Sequence, residues 1–219
     1  MRQVVILVEG QTEETLVNEV LGPAASMQGT YVTPVVVTTS ATPTGAHHGG
    51  GHWKHYHAQL QALLKASHWE RVGLLLDYYQ YPKGAPGREV ATPSGSLDSV
   101  GRQSALMTAL RAEYPDPRFR PLVVLHEIEA LVLAAIDAGR GDGLLPRQGL
   151  AELRQAITRA GGPERVNDGP STAPSKRLEA ADPGYMKTVI GPQLVSEAGL
   201  PAVLERCPTF RAWWEDLLA

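Results

Sequence analysis

The sequence predicts an α/β protein with a mainly parallel four-stranded sheet flanked by helices, followed by a helical C-terminal lobe. Two observations predict this class. Short apolar runs rich in Val, Ile and Leu lack polar alternation, which is typical of strands covered on both faces. Amphipathic helical patterns separate these runs, and strand-helix alternation indicates right-handed crossovers between parallel strands. The chain has 219 residues, enough for one such domain and a smaller appendage.

The predicted strands cover residues 3–8, 33–38, 72–76 and 120–125. A helical pattern follows each strand, because apolar residues recur there at spacings of three and four. The first helix is predicted to begin near Thr12, and the others cover residues 56–64, 99–113 and 128–136. Each strand therefore has a helix that can carry the chain back to the start of the next parallel strand.

Two long connections, residues 39–52 and 78–98, follow the second and third strands and are predicted to contain no helix or strand. Loops of this length are typical of lids and binding segments. The first connection and the start of the next helix are rich in histidine: His47, His48, His52, His55 and His57. A zinc site is one interpretation, but the glycines and the absence of nearby cysteine favour a partly cationic loop.

After about residue 140 the pattern changes, because Gly and Pro separate short helical pieces. These pieces cover residues 147–160, 184–190, 192–198, 201–206 and 208–218. We therefore predict an α/β domain over residues 1–140 and a helical lobe over residues 141–219 that packs on it. One continuous domain is the alternative.

The composition sets limits on location and partners. The net charge of −3 predicts no strong overall attraction to nucleic acid, although it leaves room for a local basic groove. A single cysteine, Cys207, cannot form an internal disulfide and fits a reducing compartment. The first apolar run is short and ends in Glu9, which indicates a strand and not a signal peptide, and no run reaches the roughly 20 residues of a membrane span. We expect a cytoplasmic protein without a membrane partner.

Three acidic clusters follow three of the predicted strands: Glu9 with Glu13, then Asp77, then Glu127 with Glu129. Carboxyl ends of parallel strands meet at one edge of a sheet, which is where open α/β sheets bind ligands. Carboxylates that converge there repel each other unless a cation or a proton lies between them. Mg²⁺ and Mn²⁺ prefer such oxygen ligands, and the ion could serve phosphoryl transfer.

A structural interpretation competes with the metal site. Acidic residues in the first turn of a helix are stabilised by the helix dipole, and Glu13, Glu127 and Glu129 are all predicted near helix starts. Glu9 and Asp77 are harder to explain in this way, because each closes a buried strand and an unpaired buried charge is costly.

The motif Glu9-Gly10-x-x-Glu13 at the end of the first strand, with an acid ending a later strand, resembles the Toprim domain of topoisomerases, primases and overcoming-lysogenization-defect nucleases. Five ordered segments over nearly the whole chain resemble the bacterial Toprim-like family called domain of unknown function 4276. They are Val8-Glu9-Gly10-Gln11-Thr12-Glu13-Glu14, Asp77-Tyr78-Tyr79, His126-Glu127-Ile128-Glu129-Ala130-Leu131, Ala173-Pro174-Ser175-Lys176-Arg177-Leu178 and Cys207-Pro208-x-Phe210-x-x-Trp213.

The resemblance implies a Toprim/Rossmann-like sheet with a Mg²⁺ or Mn²⁺ centre. Glu9 would be the general acid/base or a metal ligand, Glu13 a second ligand, and Asp77 the first acid of an Asp-x-Asp element. This chain departs from Toprim at the third position of that element, which is Tyr79, so Glu127 or Glu129 is the candidate replacement ligand. The number of bound metal ions stays open. Relatives with Toprim nuclease domains often work beside a DNA-sensing ATPase in phage defence, so the resemblance also implies such a partner.

Ser175, Lys176 and Arg177 follow Pro174 and would lie at the beginning of a helix, where a phosphate group binds well. Lys176 could then neutralise charge on a scissile phosphate. The local sequence alone favours a capped surface helix with solvated basic residues, whereas the family resemblance favours the phosphate site.

Aromatic side chains and a histidine lie near the predicted edge. Tyr78, Tyr79 and Tyr81, with Lys83 beyond them, would either stack on bases or pack against the sheet. His126 precedes Glu127 and is either a proton donor or a capping residue.

The leading hypothesis is a metal-dependent nuclease that cleaves phosphodiester bonds, with DNA expected in preference to RNA. In this hypothesis Glu9 transfers the proton. The metal ligands are Glu13, Asp77 and one or both of Glu127 and Glu129, and phosphate is held by Ser175, Lys176 and Arg177. One alternative is a non-catalytic subunit that binds nucleic acid or an ATPase. Another is a phosphohydrolase acting on a small molecule.

Overall fold

The structure is a computed structural model that describes residues 1–42, 45–48, 51–91, 98–125, 127–166 and 172–219; of residues 39–42, 45–48 and 91 it describes the backbone only. The chain forms two compact units. The sheet unit comprises Met1–Leu125 and Trp213–Ala219, and the helical unit comprises His126–Ala212. The predicted boundary after residue 140 lies inside the helical unit, and that division into domains stays a prediction.

The described strands are β1 (Arg2–Val8), β2 (Thr30–Val36), β3 (Thr38–Thr42), β4 (Gly45–His48), β5 (Arg71–Asp77) and β6 (Phe119–Val124). Four of them form a sheet in the order β2-β1-β5-β6, and each neighbouring pair is parallel. This confirms the predicted α/β class with a four-stranded parallel sheet. The four predicted strands also correspond to these four, with ends that differ by a few residues.

The described helices are α1 (Gln11–Leu16), α2 (Gly22–Ser26), α3 (Trp53–Lys65), α4 (Ser99–Glu113), α5 (Ala130–Asp137), α6 (Arg147–Ala160), α7 (Pro174–Ala181), α8 (Ile190–Ala198), α9 (Leu200–Arg206) and α10 (Pro208–Leu218). A π-helical segment, Val17–Leu21, joins α1 to α2, and two short 3₁₀ helices cover Arg88–Ala91 and Pro163–Arg165. No helix in the described ranges has both the length and the apolar character that crossing a bilayer requires.

Two sequence predictions of local structure are wrong. The connection at residues 39–52 contains the antiparallel hairpin of β3 and β4, whose first strand is rich in threonine, a residue that favours strands. The helix predicted at residues 184–190 is a series of turns. There the Asp182 carboxylate accepts a hydrogen bond from Gly184 N at 2.9 Å, and such a side-chain bond to nearby backbone competes with a helix.

The central position of β1 in the sheet determines where Glu9, the residue directly after it, lies. Val4 to Val8 are fully buried, because β1 lies between β2 and β5 and is covered on both faces. The carboxyl ends of β1 and β5 are neighbours in this parallel arrangement. Glu9, directly after β1, and Asp77, the last residue of β5, therefore lie at the same edge of the sheet.

Gly73 of β5 lets the end of α10 pack closely on the sheet unit. A Cβ atom at residue 73 would lie 3.2 Å from Ile6 Cγ1 and 3.4 Å from both Leu217 Cδ1 and Trp213 Cζ2. The indole Nε1 of Trp213 also donates a hydrogen bond to Arg120 O at 2.9 Å. The last turns of α10 are thus part of the core that supports β5.

We expect Gly73→Val to lower the free energy of unfolding by about 1–3 kcal/mol, because the added methyl groups overpack this contact. Gly73→Ala should cost less, since its single Cβ requires shifts of only a few tenths of an ångström. Urea denaturation of the two variants measures the difference. Equal stability of wild type and Gly73→Val would contradict the packing of α10 described above.

Candidate functional site

Glu9 is the centre of a buried polar contact between three elements of the sheet unit. Glu9 directly follows Val8, the last residue of β1, and only 8% of its surface is exposed. The Tyr56 hydroxyl, from α3, donates to Glu9 Oε1 at 2.7 Å. The backbone N–H of Asp77, at the end of β5, donates to Glu9 Oε2 at 2.8 Å. One carboxylate therefore connects β1, β5 and α3.

The burial of Glu9 raises the pKa of its carboxyl from 4.5 to about 7. Desolvation is the largest cause, and the negative charge of Glu13 adds to it. The hydrogen bonds from Asp77 and Tyr56 stabilise the carboxylate and lower the pKa in part. Near neutral pH the protonated and ionised forms are thus both populated, which is the condition that suits a general acid or base.

The two hydrogen-bond donors differ in what they permit. The Asp77 N–H can only donate, so it favours an unprotonated Oε2. The Tyr56 hydroxyl can donate to a carboxylate or accept from a carboxylic acid. The geometry therefore favours Oε1 as the atom that gains and loses the proton, and it leaves both contacts intact in either state.

Glu13 is the second buried acid of this edge, with 7% of the residue exposed. It lies in the first turn of α1, and its Oε2 accepts a hydrogen bond from Gly10 N at 3.0 Å. This contact is half of a capping box, so the structural interpretation of Glu13 is confirmed for one of its oxygens. Its negative charge also contributes to the raised pKa of Glu9.

The helical unit contains a separate pair of acids. Glu129 is buried and forms an ion pair with Lys187, Nζ to Oε1, at 3.1 Å. Desolvation raises the pKa of Glu129 despite the opposing effect of Lys187, and the charge of Glu127 adds to the rise. The hydroxyl of Tyr185, a buried residue, has no hydrogen-bond partner among the residues that the structure describes.

Glu127 caps the helix that was predicted to bind phosphate. Helix α7 begins at Pro174 as expected, and Ser175 is 2% exposed. The N–H of Ser175 donates to Glu127 Oε2 at 2.8 Å, so a carboxylate of the protein itself occupies this helix start. Lys176 forms an exposed ion pair with Glu179 at 2.7 Å.

The remaining basic residue of that segment also has a structural contact. The guanidinium Nε of Arg177 donates to Thr172 O at 2.9 Å. Phosphate binding by Ser175, Lys176 and Arg177 stays a prediction. Such binding requires one of two arrangements. Either the Ser175 N–H leaves Glu127 and donates to the phosphate, or the phosphate binds through side chains alone.

The carboxylates fit a divalent cation in their chemistry but do not form a complete set of ligands. Mg²⁺ is commonly bound by one or two carboxylates together with water and substrate phosphates. Glu9 and Glu13 match that requirement. Within the described residues, no group of three or more His, Cys, Asp or Glu side chains is arranged to hold a metal ion.

The three tyrosines after β5, Tyr78, Tyr79 and Tyr81, differ in their burial and contacts. Tyr81 is buried and its hydroxyl donates to Pro86 O at 2.7 Å, so it packs as the structural alternative predicted. The Tyr78 hydroxyl accepts from Arg102 Nε at 2.6 Å. Tyr79 is 37% exposed. His126 and the side chains of His47 and His48 lie outside the described residues.

Sequence reasoning missed two partners of the acids. The helix predicted over residues 56–64 begins with Tyr56, and a buried tyrosine hydroxyl needs a hydrogen-bond partner; that need is a signal in the sequence, although it does not identify Glu9. Lys187 gave no such signal, because it lies 58 positions after Glu129 and no spacing in the sequence connects the two.

The fold and the site define an α/β protein with a Rossmann-like parallel sheet and a buried carboxylate cluster at the carboxyl edge of that sheet. The family described as Domain of unknown function (DUF4276) matches residues 8–218, and the chain belongs to this family. Searches of curated proteins and of solved structures gave no significant match.

We expect Glu9→Gln to change the pH dependence of stability. The folded protein keeps the Glu9 proton up to about pH 7, whereas the unfolded chain releases it near 4.5. Between pH 4.5 and 7 the unfolded state therefore binds fewer protons than the folded state. As the pH rises through this range, the contribution of Glu9 to the free energy of unfolding decreases. The full decrease is about 3 kcal/mol.

The glutamine amide can accept from Asp77 N–H and donate to the Tyr56 oxygen, so the variant resembles the protonated acid. Its stability relative to wild type should therefore increase towards neutral pH in urea titrations. Glu19→Gln, at an exposed position of the same unit, is the matched control. A constant difference between Glu9→Gln and wild type at all pH values would contradict the raised pKa of Glu9.

Removing Lys187 should destabilise the protein, because it leaves the buried Glu129 carboxylate without its charged partner. We expect Lys187→Gln to lower the free energy of unfolding by about 2 kcal/mol, between the values for exposed and buried ion pairs. The loss should grow as the pH rises above the ordinary range of a glutamate, because the pKa of Glu129 rises further without the lysine. Lys176→Gln is the control, since its ion pair is exposed, and should change stability by less than about 1 kcal/mol.

Proposed function

We propose that this protein is a metal-dependent nuclease of the Toprim type that cleaves phosphodiester bonds, with DNA as the preferred substrate. The observation that carries the proposal is Glu9: a buried carboxyl at the carboxyl edge of the sheet, with a pKa of about 7 and a second acid beside it. The relation to Toprim nucleases is part of the proposal and rests on the Glu9-Gly10-x-x-Glu13 motif.

Glu9 supplies the proton transfer that hydrolysis of a phosphodiester needs. In its ionised form it accepts a proton from the attacking water, and Oε1 is the acceptor because Asp77 N–H holds Oε2. The Tyr56 hydroxyl keeps the carboxyl oriented in both protonation states. The negative charge of Glu13 acts on the same carboxyl and favours its protonated form.

The residues that would hold Mg²⁺ or Mn²⁺ are Glu9 and Glu13, with Asp77 as the next carboxylate along the edge. A bound divalent cation would polarise the phosphate and stabilise charge on the leaving oxygen. Glu127 and Glu129 stay proposed ligands, although each already has a partner in the helical unit: Ser175 N–H for Glu127 and Lys187 for Glu129.

The proposed partners follow from the family resemblance. The substrate is nucleic acid, and an ATPase subunit of a phage-defence system would activate the protein in the cytoplasm. Lys176 and Arg177 would contact phosphate in this assembly. Lys176 can leave its present partner more easily than Arg177 to contact phosphate, because the ion pair of Lys176 with Glu179 is exposed.

The test is cleavage of labelled single-stranded and double-stranded DNA and RNA in the presence of Mn²⁺ or Mg²⁺. We expect Glu9→Gln to lower the cleavage rate by at least about 100-fold, the usual size of a general acid–base contribution. Glu19→Gln should cleave like wild type. Thermal unfolding of both variants confirms that they are folded.

Two outcomes would contradict the proposal. The first is full cleavage by Glu9→Gln. The second is no cleavage by wild type on any of these substrates when a co-purified ATPase is also present, which would instead favour the non-catalytic subunit.

A further inference from the structure

An open cleft of about 540 Å³ lies in the sheet unit, beside the beginning of α3. Its walls come from the start of α3, the turn at residues 83–86 and the end of α4. The polar side chains that line it are His52, Lys54, His57, Lys83 and Glu113. None of these residues belongs to the carboxylate site described above.

The walls of this cleft are fixed by backbone hydrogen bonds. Trp53 N donates to Lys83 O at 2.9 Å, and Lys83 N donates to Gly51 O at 3.2 Å. These two bonds hold Lys83 beside the first turn of α3. The turn is further anchored by Tyr81, which is buried and donates to Pro86 O. Because the walls are already ordered, a ligand loses little binding free energy to ordering them.

The charge of the cleft is opposite to that of the whole chain. The chain has a net charge of −3, yet the lining combines two lysines and two histidines with a single described acid, Glu113. Lys54 is exposed at the beginning of α3, where the helix dipole also favours an anion. The lining thus attracts negative charge, and the lysines can neutralise more than one phosphate group.

The cleft is connected to Glu9 by one turn of helix. Trp53, which forms part of the wall, stacks on Tyr56 with ring centroids 5.7 Å apart and planes 11° from parallel. Tyr56 in turn donates its hydroxyl to Glu9. A ligand held in the cleft would therefore lie against the same turn of α3 that orients the Glu9 carboxyl.

We propose that this cleft binds a ligand that carries at least two phosphate groups, with Lys54 and Lys83 as the contacts to them. The phosphates can come from a nucleic-acid strand or from a free nucleoside triphosphate. In the first case the cleft holds the substrate of the proposed nuclease, and to that extent the inference rests on the proposed function. Glu113 weakens the binding of either ligand.

The experiment measures binding without cleavage, in EDTA, by fluorescence anisotropy of a labelled single-stranded oligonucleotide over a range of salt concentrations. A labelled nucleoside triphosphate is titrated in parallel. We expect Lys54→Gln/Lys83→Gln to weaken binding and to make the slope of log K against log salt shallower by about 1.4, since each phosphate contact to a single strand contributes about 0.7. Lys65→Gln, at the other end of α3, is the matched control and should bind like wild type.

Glu113→Gln gives a test in the opposite direction, because it should strengthen binding. The inference is overturned if wild type binds neither ligand, or if the double variant has the affinity and salt slope of Lys65→Gln. Lysine-dependent binding of the nucleoside triphosphate alone would support the cleft and count against the nuclease. Lysine-dependent binding of the strand, without cleavage by wild type in Mn²⁺ when a co-purified ATPase is also present, would support the cleft and contradict the catalytic proposal.

Discussion

The buried carboxylate of Glu9 is the constraint on which the arrangement of the carboxyl edge of the sheet depends. Removing a carboxylate from water is costly unless donors replace the lost water contacts. Here the donors are a tyrosine hydroxyl from α3 and the backbone N–H that ends β5. Both are neutral, so they hold the geometry of Glu9 without fixing it in the charged form. The position of α3 and the ends of β1 and β5 are therefore tied to a group that can still exchange its proton.

Glu129 shows the contrasting solution to the same problem. It is buried to a similar degree, but its partner is the ammonium of Lys187, a charge that stabilises the ionised form. A carboxylate paired with a lysine is well suited to holding a structure together, whereas one held by a hydroxyl and an amide is better suited to proton transfer. This difference is why the proposed proton transfer is placed on Glu9, whereas Glu129 already has a charged partner.

The beginning of α7 also has a carboxylate of the protein as its partner. A helix start attracts an anion, and the sequence alone does not tell whether that anion is a ligand or a side chain from elsewhere in the chain. In this protein Glu127 supplies it through Ser175 N–H. The cationic cleft at the start of α3 is different, because its charge comes from side chains on two segments that backbone hydrogen bonds hold in place.

Much of the fold was predictable because its signals are local. The apolar runs at β1, β2, β5 and β6 identify the four strands, although β2 lies at the edge of the sheet and is only partly buried. The intervening periodic patterns identify α3, α4 and α5. The hairpin of β3 and β4 and the turns at residues 184–190 were missed. Their structure depends on pairing between segments and on local side-chain bonds, not on a repeated apolar pattern.

For the site, the sequence by itself determined that Glu9 and Asp77 lie at the carboxyl ends of two strands and that Glu13 lies in the first turn of the helix after the first strand; the pairing of β1 with β5 came from the structure. Strand position and helix start are encoded in the order of apolar and polar residues. Only the tertiary structure decided which donors Glu9 receives, that Lys187 neutralises Glu129, and that Lys54 and Lys83 share one cleft. These contacts join residues far apart in the chain, and their geometry follows from how the helices pack and not from any spacing in the sequence.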